Sequence, residues 1–425
     1  MWKDRGTCVS SASRSCRRED SSTMSSSGAD RGFPPASTAC PGCGWGDPTV
    51  FYEQREVPAN SCLLLDSQEE AMAFPRGTVR LAACPRCGLV ANVAYDPSLA
   101  RYTDRYEDSQ FFSARFRDFA QNLAAELVER YHLRSGRVLE VGCGTGEFLV
   151  LVCDLGSCSG LGVDPSDRAR RPLGTKAAVA FVAEPLAEGH CRPAPSLVVC
   201  RHTLEHVPRP SELLSTLANG LGGSSTPLVI EVPECLRILR EGAFWDVYYE
   251  HVSYFTPGTL ARYLRRAGLA VEELRLDFDD QYLLAFARAS REDLPSPLEH
   301  EEDPATVALE ASRFATTVSS RIEEWRQMVG PAAGEGGRVA IWGSGSKATA
   351  FLTALANEAS VDLVVDVNPR KQGRFVAGTG QRIVAPERLA TCRPDLVIVM
   401  NPAYESEIRA ELARLGISPR VVSLR

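Results

Sequence analysis

Three glycines on alternate positions, Gly142, Gly144 and Gly146, join an apolar run to a helix-like segment within RVLEVGCGTGEF, residues 137–148. Val138 to Val141 has the length and β-branched character of a buried strand, and Glu147 to Leu155 reads as helix. Strand, glycine turn and helix in that order make the corner of an open parallel sheet, where a ligand meets bare backbone at a helix N-terminus. The spacing is G-x-G-x-G, and Glu140 stands at the strand end. A carboxylate there repels a pyrophosphate, which disfavours a dinucleotide. S-adenosylmethionine, with a sulfonium, an ammonium and no phosphate, fits the corner better. A glycine-rich turn without a ligand is the plainer alternative.

The flanking sequence continues this theme. Phe116 to Tyr131 reads as an amphipathic helix with Phe119, Leu123, Leu127 and Val128 on one side. Gly160 to Asp164 reads as a second strand, ending in an acid 24 residues after Glu140, where a parallel sheet delivers a carboxylate to ribose hydroxyls. Ser196 to Arg201 is a further buried strand, and it runs into His202-Thr-Leu-Glu-His206. That string matches a zinc-peptidase pattern, but the peptidase needs both histidines on one continuous helix. The strand before it, and Pro208 and Pro210 after it, leave room only for a loop over the cofactor. Leu228 to Val232 is another strand. After it comes the densest chemistry in the chain, Trp245 to Phe255, and Val271 to Ala287 reads as a closing hairpin.

A second signal precedes this region. Cys40-Pro-Gly-Cys43-Gly and Cys84-Pro-Arg-Cys87-Gly are two copies of C-P-x-C-G, separated by 40 residues. Two such knuckles satisfy tetrahedral zinc and leave no position open for a substrate, so the reading is structural zinc on Cys40, Cys43, Cys84 and Cys87. The long separation calls for an excursion, with a hairpin expected near Ser61 to Asp66. A redox pair is the alternative, against which the symmetry of the knuckles counts. A module of about 60 residues has a small core, which is a physical reason for a metal staple.

The chain of 425 residues exceeds a single ordinary core. We expect a disordered tail at 1–36, rich in Ser and Arg, and a zinc-binding module at 37–98. The glycine-corner domain follows at 99–290, a linker and helix at 291–336, and a second α/β domain at 337–425. In the last, Gly343-Ser-Gly345-Ser-Lys347 repeats the strand–glycine–helix order, and Asp366 lies 23 residues after Gly343. A nucleotide site and a ligand-free packing domain are both consistent with that pattern. A net charge of −7 argues against nucleic acid as the main partner, and no apolar run is long enough to span a bilayer. Of the 14 cysteines, most stand singly on apolar strands, which fits a reducing cytoplasm. Oligomeric state leaves no signal.

Taken in order, C-P-x-C-G twice, VLEVGCGTGEFL, RHTLEHV, the Tyr248 to Phe255 run and VVDVNPRKQG resemble one family. It is the S-adenosylmethionine-dependent sugar C-methyltransferases, which carry an N-terminal zinc-binding domain and a C-terminal C-methyltransferase domain. The resemblance covers about residue 38 to the end. It implies an α/β fold: a class I methyltransferase with a Rossmann-like doubly wound sheet, a small zinc module before it and a Rossmann-like domain after it. It implies a small-molecule substrate, a nucleotide-linked deoxy sugar with a ketone at carbon 4, methylated at carbon 3. It further implies that Tyr248, Glu250 and His251 line the sugar site with His251 as base, that His202 lies near the reacting sugar, and that Tyr106 helps bind it. The sequence departs from the family at Tyr249, where histidine is expected, and in Gly343-Ser-Gly345-Ser-Lys347, where an alanine-rich form is expected.

Chemistry leads the same way. A methyl sulfonium is already electrophilic, so the protein must supply alignment and a nucleophile. A carbon nucleophile requires removal of a proton beside a carbonyl, for which histidine is the natural base. The developing enolate oxygen needs donors, with Tyr248, His202 or backbone N–H groups as candidates. The rivals are an O- or N-methyltransferase on a small metabolite, and a non-catalytic binding protein with a vestigial core.

Overall fold

The computed structural model describes residues 39–100, 103–166, 174–290, 297–334, 337–355 and 361–425. The tail expected at 1–36, and residues 291–296 of the expected linker, lie outside these. The chain begins with an antiparallel meander, β1 (Thr49–Pro58), β2 (Arg76–Ala83) and β3 (Val90–Asn92), with the short helix α1 (Gln68–Met72) between the first two strands. The excursion between the cysteine pairs is therefore β1, α1 and β2. Residues 61–66 do not form the expected hairpin. They run as an extended strap in which Leu63 bridges to Tyr106 and Leu65 to Phe375, because those apolar side chains find cover on later parts of the chain.

Helix α2 (Ala114–Arg130) starts at Ser113, whose hydroxyl accepts from the Phe116 N–H. It buries Phe116, Phe119, Leu123 and Leu127, at helical spacing. Next come β4 (Arg137–Val141), α3 (Glu147–Gly156), β5 (Ser159–Val163), β6 (Val179–Val182), β7 (Leu197–Arg201), α4 (Pro210–Leu221), β8 (Pro227–Pro233) and α5 (Cys235–Glu241). The two-residue strand β9 (Ser253–Tyr254), α6 (Pro257–Arg266), β10 (Leu269–Asp277) and β11 (Tyr282–Ala289) complete this part. The sheet order is β10-β11-β8-β7-β4-β5-β6, with β11 antiparallel to β8 and the core strands parallel. Every residue of β7 is buried, as expected of a parallel strand covered on both faces. This is the doubly wound arrangement, and β10 with β11 is the closing hairpin. Strand β9 leaves this sheet and pairs with β3, so the Tyr248 to Phe255 run is anchored to the cysteine-bearing meander.

The 31-residue helix α7 (Pro304–Gly334) leads to β12 (Val339–Trp342), α8 (Ser346–Leu355), β13 (Leu363–Val365), β14 (Ile383–Val384), α9 (Arg388–Cys392), β15 (Leu396–Val399), α10 (Glu405–Arg414) and β16 (Arg420–Ser423). These strands form an all-parallel sheet, β14-β13-β12-β15-β16. One apolar core joins the first and third sheets, from Tyr52 of β1 through Phe244 and Trp245 to Phe314 and Trp325 of α7 and Phe351 of α8. Residues 36–425 are consequently one compact unit. No helix among the described residues is long and apolar enough to cross a membrane.

Candidate active site

A cavity of about 690 Å³ opens at the C-terminal ends of the central strands. Gly142 follows β4 with φ 69°, a backbone shape that suits glycine, and a Cβ there would collide with Thr203. Its N–H donates to the Val163 carbonyl at 2.7 Å. Gly144 and Glu140 lie on the cavity wall beside it. Glu140 is buried, and its Oε2 has no hydrogen-bond partner among the described residues. Burial raises its pKa to about 8, although Arg201 pulls it back. An unpartnered carboxyl oxygen beside bare backbone fits the hydroxyls and cationic centres of S-adenosylmethionine. Asp164 and Gly146 stand behind this wall. Asp164 accepts from the Gly144 N–H at 2.9 Å and the Ser166 N–H at 2.8 Å, so it braces the glycine turn, while Gly146 caps α3.

The next wall comes from the end of β7. Arg201 grips Glu231 of β8 with two bonds, 2.8 and 3.0 Å, and lies 4.0 Å from the centre of the Phe148 ring. His202 has φ 46°, uncommon outside glycine and frequent at functional sites. Its Nε2 lies 2.7 Å from Glu231 Oε1. Burial, the largest influence, disfavours its charge, yet Glu231 and Glu205 outweigh it and raise His202 to about 9. His251 behaves oppositely. Burial, reinforced by His206, pushes its pKa well below the usual imidazole value. Its ring centre is 4.4 Å from that of Tyr248 and 4.9 Å from that of His206. One cavity thus holds an imidazolium donor and a neutral imidazole acceptor, the division that acid–base chemistry uses.

Tyr248 and Tyr106 both line the cavity. The Tyr248 hydroxyl donates to Asp246 at 2.9 Å, Arg237 pairs with the same carboxylate at 2.7 Å, and Lys347 also pairs with it. Glu250 lies elsewhere. It is fully buried behind the wall, where it accepts from Asn60 Nδ2 at 3.1 Å and from the Ser61 N–H at 3.0 Å. Ser61 in turn donates to Ser346 at 2.7 Å, so Glu250 ties the strap to the start of α8. Tyr249 also points away from the cavity, and its hydroxyl accepts from the Asp96 N–H at 2.8 Å. The departure at Tyr249 therefore falls on a packing position.

The third wall is the second glycine turn. Gly343, Gly345, Ser346, Lys347 and Lys371 face the same cavity as Glu140 and Gly142. The bracing repeats: Ser344 N–H donates to Asp366 at 2.9 Å and Asn368 N–H at 2.8 Å, as Gly144 and Ser166 do to Asp164. Sequence reading missed Arg237, Asp246, Lys371 and Glu205 as wall residues. Asp246 carried a signal, since it sits inside the densest polar and aromatic run, and Lys371, in a loop after β13, lies within the VVDVNPRKQG stretch.

The cysteine knuckles converge away from the cavity. Cys40 and Cys87 sulfurs are 3.7 Å apart and those of Cys43 and Cys84 3.6 Å, close to the roughly 3.8 Å edge of a tetrahedron with bonds of about 2.3 Å. The Gly42 N–H donates to Cys40 Sγ at 3.4 Å, and Gly44 and Gly88 close the two turns onto the Cys40 and Cys84 carbonyls. This donor set fits zinc.

Residues 111–274 match the family described as methyltransferase domain, and residues 286–417 match that described as C-methyltransferase C-terminal domain. The chain is similar to C-methyltransferase NovU of Streptomyces niveus, 26% identical over 373 residues, which cover 81% of this chain and 85% of that protein. Among solved structures, an O-methyltransferase family protein from Burkholderia thailandensis is 19% identical over 42% of this chain and 57% of that one, with a TM-score of 0.35. Magnesium protoporphyrin IX methyltransferase from Synechocystis, solved with bound S-adenosylhomocysteine, is 17% identical over 43% of this chain and 90% of that one, with a TM-score of 0.34.

Proposed function

We propose that the chain is an S-adenosylmethionine-dependent C-methyltransferase, as its two matched domains and its similarity to a C-methyltransferase support, and that its acceptor is a nucleotide-linked keto-deoxy sugar, methylated on the carbon beside the ketone. One observation carries the reading: the glycine turns of the seven- and five-stranded sheets face a single cavity, with His202, Tyr248 and His251 on its wall. The first turn suits the methyl donor. The second, with Lys347 and Lys371 beside it, supplies backbone N–H groups and cations of the kind that hold a diphosphate.

When bound, S-adenosylmethionine supplies an electrophilic methyl group. Glu140, Gly142 and Gly144 would hold it, with Asp164 keeping the turn in shape. His251 takes the proton from the carbon beside the ketone, and the enolate oxygen that develops accepts from His202 or the Tyr248 hydroxyl. Tyr106 contacts the sugar, and Glu250 orients the segment that carries His251 by gripping Asn60 and Ser61. Cys40, Cys43, Cys84 and Cys87 hold a structural zinc ion, for which metal analysis should give at least one zinc per chain.

The test is solvent deuterium exchange into a nucleotide-linked 4-keto sugar with the methyl donor omitted. Wild-type protein should exchange the proton beside the ketone, and His251→Ala should lose at least a hundredfold in rate. Absence of exchange in the wild type would instead favour transfer to oxygen or nitrogen.

A further inference from the structure

Glu205, His206 and His251 each offer one ligand atom, and these atoms lie within 4.8 Å of one another. Glu205 is 2% exposed, yet neither of its carboxylate oxygens has a hydrogen-bond partner among the described residues. His202 Nδ1 stands 3.5 Å from one of them, an ion-pair distance longer than a well-formed hydrogen bond. His251 Nδ1 is likewise buried and unpartnered among those residues. His206 Nδ1 lies 3.1 Å from the Glu250 carbonyl, which can only accept, so this nitrogen carries the proton and Nε2 keeps the lone pair. A ring oriented by a carbonyl at its other nitrogen is the usual setting of a metal-bound histidine.

The scaffold is rigid where these residues meet. The Val252 N–H donates to the Glu205 carbonyl at 2.9 Å, so the turn after β7 and the approach to β9 are tied on both sides of the cluster. All three side chains line the cavity, which leaves coordination positions facing the substrate space. Two imidazoles and a carboxylate select first-row divalent ions over magnesium or calcium, which prefer all-oxygen sets. The cluster is separate from the four cysteines, whose sulfurs form their own closed group.

We propose that Glu205, His206 and His251 form a mononuclear site for a first-row divalent cation, and that its occupation silences His251 as a base. An imidazole nitrogen bound to metal cannot also accept a proton, and in a neutral ring the other nitrogen already bears one. Cation and proton abstraction therefore compete for one lone pair. This second clause rests on the carbon-acid reading above; the site itself does not.

The experiment uses the full chain with its cysteines zinc-loaded, titrated with Mn²⁺ and followed by the electron paramagnetic resonance signal of free Mn²⁺. One Mn²⁺ per chain should bind, with nitrogen modulation from two imidazoles in pulsed spectra. Glu205→Gln and His206→Gln should each weaken binding at least tenfold while retaining S-adenosylmethionine binding by calorimetry. Deuterium exchange in the wild type should fall in step with Mn²⁺ occupancy. Absence of Mn²⁺ binding, or a bound ion without imidazole nitrogen, would overturn the site without needing any variant. Equal binding by both variants would overturn it too, and undiminished exchange at full occupancy would overturn the silencing. Metal binding is read without substrate, so its failure leaves the sugar reading intact, and failure of exchange in metal-free protein removes the sugar reading alone.

Discussion

Glu140 should make cofactor binding proton-linked. Burial is the largest influence on its carboxyl and disfavours the charge, as do Asp164 just after β5 and Glu231 on β8; together they outweigh Arg201 on β7, which favours the charge, and raise the pKa to about 8. At pH 7 the free protein therefore holds Glu140 about 90% protonated. A ligand with hydroxyl donors and positive charge stabilises the carboxylate and expels that proton. The sign follows: affinity rises with pH by up to about tenfold per unit below pH 8 and levels off above it. Calorimetry at pH 7 in buffers of differing ionisation enthalpy reads the released proton as a slope of about 0.9. The ligand's own ammonium titrates nearby, so the quantity that tests Glu140 is the difference between wild type and Glu140→Gln. The variant should lose that difference in slope and, above pH 8, bind about thirtyfold more weakly, which corresponds to about 2 kcal/mol for a hydrogen bond to a charged group. Equal slopes in the two proteins would refute the assignment of Glu140 to the cofactor.

Lys347→Met should raise KM for a nucleotide-linked acceptor about tenfold and leave cofactor affinity unchanged, because Lys347 lies on the α8 wall and Arg237 still pairs with Asp246. An unchanged KM would count against diphosphate binding there. Trp325→Ala should destabilise the fold by about 3–5 kcal/mol, read from the denaturant midpoint, since this buried ring packs edge-on against Trp245 and Phe351 at 6.3 and 5.3 Å. A loss below about 1 kcal/mol would mean that α7 is not the seam between sheets.

Much of the fold was legible because its signals are local. The apolar runs of β4, β7, β8, β12 and β15 and the glycine turn before α3 each lie within a dozen residues, and helix α2 shows its buried face at helical spacing. What could not be read depends on distant partners. Strand β9 has two residues and exists because β3 offers a free edge. The strap at 61–66 is extended because Tyr106 and Phe375 pair with it. Glu250 and His251 are adjacent in sequence, yet one is gripped by Asn60 and Ser61 behind the wall and the other faces the cavity.

Residue pattern alone thus determined the parallel core strands of two sheets, the cofactor class and the paired cysteine knuckles, since strand hydrophobicity, glycine spacing and thiolate spacing are short-range properties. Only the tertiary structure decided that Asp164 braces the first glycine turn, that the second turn opens onto the same cavity, and that Glu205 is buried without a hydrogen bond beside His206 and His251. The physical reason is burial. Which carboxylate finds a donor, and which is left without one, depends on how the three sheets pack together, and no spacing along the chain encodes it.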